Sequence, residues 1–247
     1  MKKALKVFLI FLGIQAISGI VLQVLGLQEN ALAAGRGMFA ASLAIVALLW
    51  LCRLAGRESA WQPCSSWKSR EVGVALLAIG GVSFGMSLLT EPLSLNDLGL
   101  EDMFNAMRSD PLCILALCVV GPLTEEVVFR DGILRHLVAG GMKPWVAVAV
   151  SAALFGVIHI DPAQMVPAIV GGIALGALFI RTGNLSLCLP AHIFNNSLAI
   201  GLMYVPGSAD WTKSWSLTAH IAAGLPLLIA GFGLVWWLTS KPCRKEC

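Results

Sequence analysis

The chain has 247 residues, 57% of them hydrophobic and 13% charged, with 25 glycines and a mean hydropathy of +0.82. About a quarter of the residues of a soluble domain are charged, so this composition excludes a water-soluble globule and a disordered chain alike. The net charge of +3 comes from short clusters between apolar stretches, not from a basic stripe with interleaved aromatics; that argues against nucleic acid as a partner and reads as membrane orientation.

Eight apolar stretches approach the roughly 20 residues that span hydrocarbon: 5–27, 38–54, 72–89, 111–137, 144–160, 165–180, 185–205 and 217–238. The first follows Lys2, Lys3 and Lys6, but its apolar run is too long for a signal-peptide core, so it is expected as an uncleaved helix. The sequence thus predicts an all-α polytopic membrane protein, a single integral membrane domain over 1–247 with about eight transmembrane helices around a polar intramembrane cavity. The lipid bilayer is its first partner.

Alternating the connections between eight spans puts thirteen basic residues on the side of the termini (Lys2, Lys3, Lys6, Arg53, Arg57, Lys68, Arg70, Arg135, Lys143, Arg181, Lys241, Arg244 and Lys245) and three on the other (Arg36, Arg108 and Lys213). The positive-inside rule then makes both termini cytoplasmic. The short basic N-terminus and compact loops suit a bacterial inner membrane. In the acidic 90–110 connection, Leu98, Leu100, Met103, Phe104 and Met107 among Asp97, Glu101 and Asp102 fit a short interfacial helix. Gly81 and Gly85, and Gly172 and Gly176, give the small-x-x-x-small spacing that lets helices approach closely. The seven cysteines (52, 64, 113, 118, 188, 243, 247) form no C-x-x-C or zinc-ribbon spacing and read as free thiols; Arg244 stands fourth from the end where a prenylation signal needs cysteine.

The fourth span holds Glu125, Glu126 and Arg130 within six residues. Each costs about 2.5 to 3.5 kcal/mol near a helix centre, so they must face a cavity or one another. On an ideal helix Glu126 and Arg130 lie about 40° apart and can pair, while Glu125 points about 100° away from Glu126 and is left for chemistry. Phe155 and His159 share a face at the end of the fifth span, as do His192 and Asn196 inside the seventh. Asp161, His136 and His220 read as interface or packing residues.

Glu125-Glu126-Val-Val-Phe-Arg130, Phe155-Gly-Val-Ile-His159 and His192-Ile-Phe-Asn-Asn196 resemble, in order and in membrane placement, the three motifs of the CPBP intramembrane proteases, the C-a-a-X protease and bacteriocin-processing group also called Abi. The resemblance covers about 111–205, which it marks as the catalytic core. It implies an endopeptidase acting on a membrane-associated or lipid-anchored peptide or protein: a prenylated tail, a bacteriocin or a sorting signal. In that reading Glu125 is general base to a water shared with His159. His192 and Asn196 donate to the tetrahedral oxyanion, and Glu126, Arg130 and Phe155 support the site. No cofactor is required, although Glu125, His159 and His192 also make a two-histidine, one-carboxylate set that suits zinc.

Three other readings share these residues. Gly81-Val-Ser83-Phe-Gly85 carries the letters of a serine-hydrolase elbow, but within a membrane helix; the carboxylates and histidines could relay protons in a transporter; and an immunity or peptide-binding protein could keep the cavity without catalysis. Straight helices would set Glu125 and His159 at different depths, which a kink at Gly121-Pro122 or an early end to the fourth helix, leaving 131–143 along the interface, would reconcile. The cavity is expected to open to the cytoplasm.

Overall fold

Helix starts follow the punctuation of the sequence. In a computed structural model that describes residues 1–27, 29–55, 69–96 and 98–240, α1 (Lys2–Val24) is followed by α2 (Ala31–Leu51), whose first turn is capped by Asn30 accepting from Ala33 N at 2.9 Å. Next come α3 (Ser69–Thr90) and the short α4 (Leu100–Met107), the expected amphipathic segment, with Met107 buried. The helical stretch α5 (Pro111–Ala139) opens with Pro111 at its first position and Asp110 accepting from Leu112 N and Cys113 N. Proline also opens α6 (Pro144–Val157) and α7 (Pro162–Thr182), the latter capped by Asp161. α8 (Cys188–Leu202) and α9 (Leu217–Ser240) complete the bundle. No strand occurs among the described residues.

All eight apolar stretches are helical over most of their length, but among the described residues six helices are long and apolar enough to cross a membrane. α6 and α8 have 14 and 15 residues, about 21 and 22 Å at 1.5 Å per residue against a hydrocarbon core of about 30 Å. Side chains such as Leu5, Leu9, Ile17 and Ile20 on α1, Leu77 on α3 and Ile229 on α9 face outward. Together with long apolar helices that satisfy their own backbone, this is the surface an integral membrane protein presents to lipid. Exposed aromatic residues ring both ends, Trp50, Trp145 and Trp236 at one and Tyr204, Trp211 and Trp215 at the other.

α3 and α9 pack backbone to backbone. A Cβ on Gly85 would stand 2.6 Å from Leu228 N, and one on Gly231 2.7 Å from Val82 N, so the first small-residue pair has a packing role. Gly172 and Gly176 do the same for α7 against Ala152 and Val148 of α6. The residues set aside as structural have structural partners: His136 Nε2 meets Leu54 O at 3.1 Å, His220 Nδ1 meets Leu88 O at 3.0 Å, and Asp161 is a cap. Cys52, Cys113, Cys118 and Cys188 are free thiols. Asp97, Arg57, Lys68, Lys241, Arg244, Lys245, Cys64, Cys243 and Cys247, used in the sequence reading, lie outside the described residues.

Candidate active site

α5 is not a plain α-helix. Two π-helical stretches, Ala116–Val120 and Glu126–Leu134, interrupt it, separated by one α-turn from Gly121 to Glu125. Pro122 lacks an N–H to donate within the helix, so the ladder is broken where the first π stretch gives way. Such wide turns cluster at functional sites because they re-aim side chains. The helix stays continuous to Ala139, so 131–143 does not peel off along an interface. The change of winding, with the short α6, brings Glu125 and His159 to one cavity.

Glu126 and Arg130 are completely enclosed and stand 3.2 Å apart, Nη1 to Oε1. The Phe155 ring covers the guanidinium, its centroid 4.5 Å from Cζ, which adds a cation–π contact in a dry setting. Glu126 Oε2 has no hydrogen-bond partner; the buried Cys188 thiol lies beside this carboxylate. Glu126 also reaches His192, whose Nδ1 is 2.8 Å from Oε1. Because a carboxylate held beside an arginine only accepts, the imidazole donates through Nδ1–H. Its Nε2 is thereby turned toward Glu125, 3.4 Å from Oε2.

His159 is held differently. At the C-terminus of α6 the His159 N–H goes to Gly156 O, which leaves the Phe155 carbonyl free of its helical partner. His159 Nδ1 takes that carbonyl at 2.8 Å. A carbonyl only accepts, so the ring donates through Nδ1–H and Nε2 is left for the cavity. Phe155 packs edge-on to both imidazoles, with centroids 5.0 Å from His159 and 5.9 Å from His192.

Glu125, His159, His192 and Asn196 all line one cavity of about 550 Å³, with Phe155 in its wall. Asn196 Nδ2 donates to Leu117 O at 3.2 Å and its Oδ1 accepts from Asn195 at 3.3 Å, leaving one amide hydrogen for a ligand. The first π stretch contains Leu117, so the same irregularity that aims the carboxylates also orients this amide. Asn195, Gln164 and Ser87 line the cavity too and escaped the sequence reading; the adjacent Asn195-Asn196 pair in an apolar stretch was the available signal. Ser83 is in the wall as well, but on a helix packed by Gly81 and Gly85, not on a strand-to-helix elbow.

Glu125, His159 and His192, the set suited to zinc, share the cavity without converging: among the described residues no three His, Cys, Asp or Glu side chains stand together as a metal-binding group. His192 has Nδ1 committed to Glu126 and His159 has Nδ1 on the Phe155 carbonyl, so each imidazole has only Nε2 left for a ligand in the cavity. The walls also show toward which end of the bundle the cavity extends. Thr90, Phe104, Gln164 and Met203 carry the cavity toward the connections 91–110, 158–161 and 203–216, at the end of the bundle opposite Met1 and Ser240.

A family model described as Rce1-like, type II CAAX prenyl endopeptidase, matches residues 108–198. CAAX prenyl protease 2 of Arabidopsis thaliana is 29% identical over 144 residues, 50% of this chain and 43% of the relative. The putative membrane peptidase YdiL of Bacillus subtilis (strain 168) is 25% identical over 106 residues, 43% of each chain. The chain thus spans less than half the length of these curated relatives. No solved structure matches it.

Proposed function

Taking residues 108–198 as related to the Rce1-like membrane endopeptidases, we propose that this protein is an intramembrane endopeptidase that cleaves a membrane-associated or lipid-anchored peptide with an activated water. The observation that carries the reading is the gathering of Glu125, His159, His192 and Asn196 on one cavity inside an otherwise apolar bundle. Intramembrane ionisable groups that face a cavity, rather than each other, are retained for function.

Water in the cavity donates one hydrogen to His159 Nε2 and the other to Glu125. On attack its oxygen bonds to the scissile carbonyl carbon, Glu125 takes the proton, and the carbonyl electrons move onto oxygen. That oxyanion accepts from the free Asn196 hydrogen and from His192 Nε2–H. The latter donates only as imidazolium, so this mechanism requires His192 doubly protonated and Glu125 ionised before attack. Glu126 holds Nδ1–H throughout and Arg130 holds Glu126. Charge closes: Glu126 against Arg130, and His192 against Glu125 before attack or the oxyanion after it. Glu125 then passes its proton to the leaving amine as the C–N bond breaks.

We also place Met1 and Ser240 on the cytoplasmic side, from thirteen basic residues against three. The test is cleavage of membrane-anchored peptides by purified protein in detergent, wild type against Glu125→Gln and His159→Ala, with and without a strong zinc chelator. Loss in both variants with indifference to chelator supports water activated by Glu and His alone. Loss on chelation that zinc restores would replace this mechanism by a metal-based one.

A further inference from the structure

The catalytic cavity has a neighbour. A second cavity of about 610 Å³ shares Ser87 and Met203 with it and is walled by α4 and by the 203–212 connection. This neighbour is held in shape by side chains. Arg108 donates to Met203 O and stacks on Tyr204, and Thr212 donates to Glu91 Oε1 at 2.8 Å. Those contacts tie the connection after α8 to the ends of α3 and α4; the two spaces adjoin at Ser87 and Met203, and we take them together as the passage from Glu125 outward. No wall residue of either cavity comes from 52–55, 139–144 or 182–188, the connections at the Met1 and Ser240 end.

The charge distribution says which side of the membrane this passage faces. It emerges where three basic residues stand, Arg36, Arg108 and Lys213, against thirteen at the other end, and the sparse end is extracytoplasmic by the positive-inside rule. Resting on the peptidase reading, we infer that the site is loaded through the 203–212 cavity, so that its substrate class is an extended peptide segment at the extracytoplasmic face of the membrane, not a cytosolic lipidated tail. An extended chain fits because the neighbouring cavity of about 610 Å³ gives residues flanking the scissile bond a place to lie beside the reacting centre.

The test needs no turnover. In full-length protein freed of its native cysteines, single cysteines are placed at the junction, Ser87→Cys and Met203→Cys, with Lys213→Cys and Ser240→Cys marking the two ends. A membrane-impermeant maleimide is applied to right-side-out spheroplasts and to inverted vesicles. The inference expects Ser87→Cys, Met203→Cys and Lys213→Cys to label in spheroplasts and Ser240→Cys only in inverted vesicles. Junction cysteines that label from the Ser240 side alone, or from neither side, overturn the loading path, and a Lys213→Cys that labels only in inverted vesicles overturns the extracytoplasmic assignment. A single-span peptide presented in both topologies adds the substrate readout: cutting of the outward copy alone supports the inference, and cutting of the inward copy alone refutes it. If neither copy is cut, the peptidase reading fails while the labelling still decides the side.

Discussion

His192 Nδ1 lies 2.8 Å from Glu126 Oε1, and this contact decides which edge of the imidazole faces the cavity. Glu126 is therefore more than ballast for Arg130: it sets the tautomer of a site residue, as second partners of histidines do elsewhere. Removing its charge leaves Arg130, enclosed and held by Phe155, without a counter-ion. Breaking such a buried pair costs about 3 to 5 kcal/mol. Glu126→Gln should lower the thermal midpoint in detergent, read by the intrinsic fluorescence of the chain's eight tryptophans. The double variant Glu126→Gln with Arg130→Met should recover part of that stability without recovering turnover. An unchanged midpoint in Glu126→Gln would refute the structural role.

Glu125 is the opposite case. Its side chain is 23% exposed, toward the cavity, and its proposed role is to move a proton. Glu125→Gln is expected to cost about 10² to 10⁴-fold in kcat, the range for general acid–base groups, at an unchanged thermal midpoint. Ser83→Ala, in the same wall, should leave kcat unaltered, whereas a comparable loss there would revive a serine nucleophile. If folded wild type cuts nothing in a broad membrane-anchored peptide library while binding its members, the non-catalytic peptide-binding reading takes over.

Much of this site was legible because charge in an apolar stretch is expensive and therefore conspicuous: Glu125, Glu126, Arg130, His159 and His192 stood out on energetic grounds before any geometry. What stayed hidden was winding. An i→i+5 helix has the same hydropathy as an i→i+4 helix, so Ala116–Val120 and Glu126–Leu134 gave no signal, and straight helices put Glu125 and His159 at the wrong relative depth. Hydropathy also overstated span lengths. The segments after α6 and α8 are themselves apolar, as Ile158 and Ile160 or Met203, Tyr204 and Val205 show, so the pattern runs past the point where the backbone turns.

Phe155 joins three groups, and its loss should be felt in both stability and rate. Phe155→Leu keeps most of the volume but removes the ring over Arg130 and the edge contacts to both imidazoles. A desolvated cation–π contact is worth about 2 kcal/mol, so the thermal midpoint should fall and kcat should drop through looser histidines, with KM little changed. A KM effect with kcat intact would instead make Phe155 a substrate contact.

Outside the membrane-spanning helices, Asp110 links the start of α5 to α2 through Arg36, Nη2 to Oδ2 at 2.6 Å. The hydrogen bond from Arg36, followed by that from Cys113 N, lowers the Asp110 carboxyl to about 2. A carboxyl whose folded pKa is below its unfolded value of about 3.9 contributes stability that is complete above about pH 4 and is lost as pH falls through about 2. Wild type should therefore lose thermal stability between pH 4 and pH 2, and Asp110→Asn should show a flatter acid limb in that window. Both groups are accessible to solvent, so added salt should shrink the difference. Parallel acid limbs in the two proteins would show that this pair does not contribute.

The contact between α3 and α9 allows a sharper test, because glycines on the same helix differ in what a methyl would meet. At Gly85 a Cβ would stand 2.6 Å from Leu228 N and 2.8 Å from Gly224 O, both backbone atoms that cannot swing aside. At Gly73, also in α3, it would meet nothing within 4 Å. Gly85→Ala should force the helices apart at the cost of about 1 to 3 kcal/mol, as overpacking does. Gly73→Ala should be neutral or stabilise by up to about 1 kcal/mol, through the higher helix propensity of alanine. Since α3 also carries Ser83 and Ser87 into the cavity walls, Gly85→Ala should reduce turnover in step with stability while Gly73→Ala leaves it alone. Thermal unfolding and cleavage rates on the two variants settle it: equal behaviour would mean that the close α3–α9 approach does not shape the cavity.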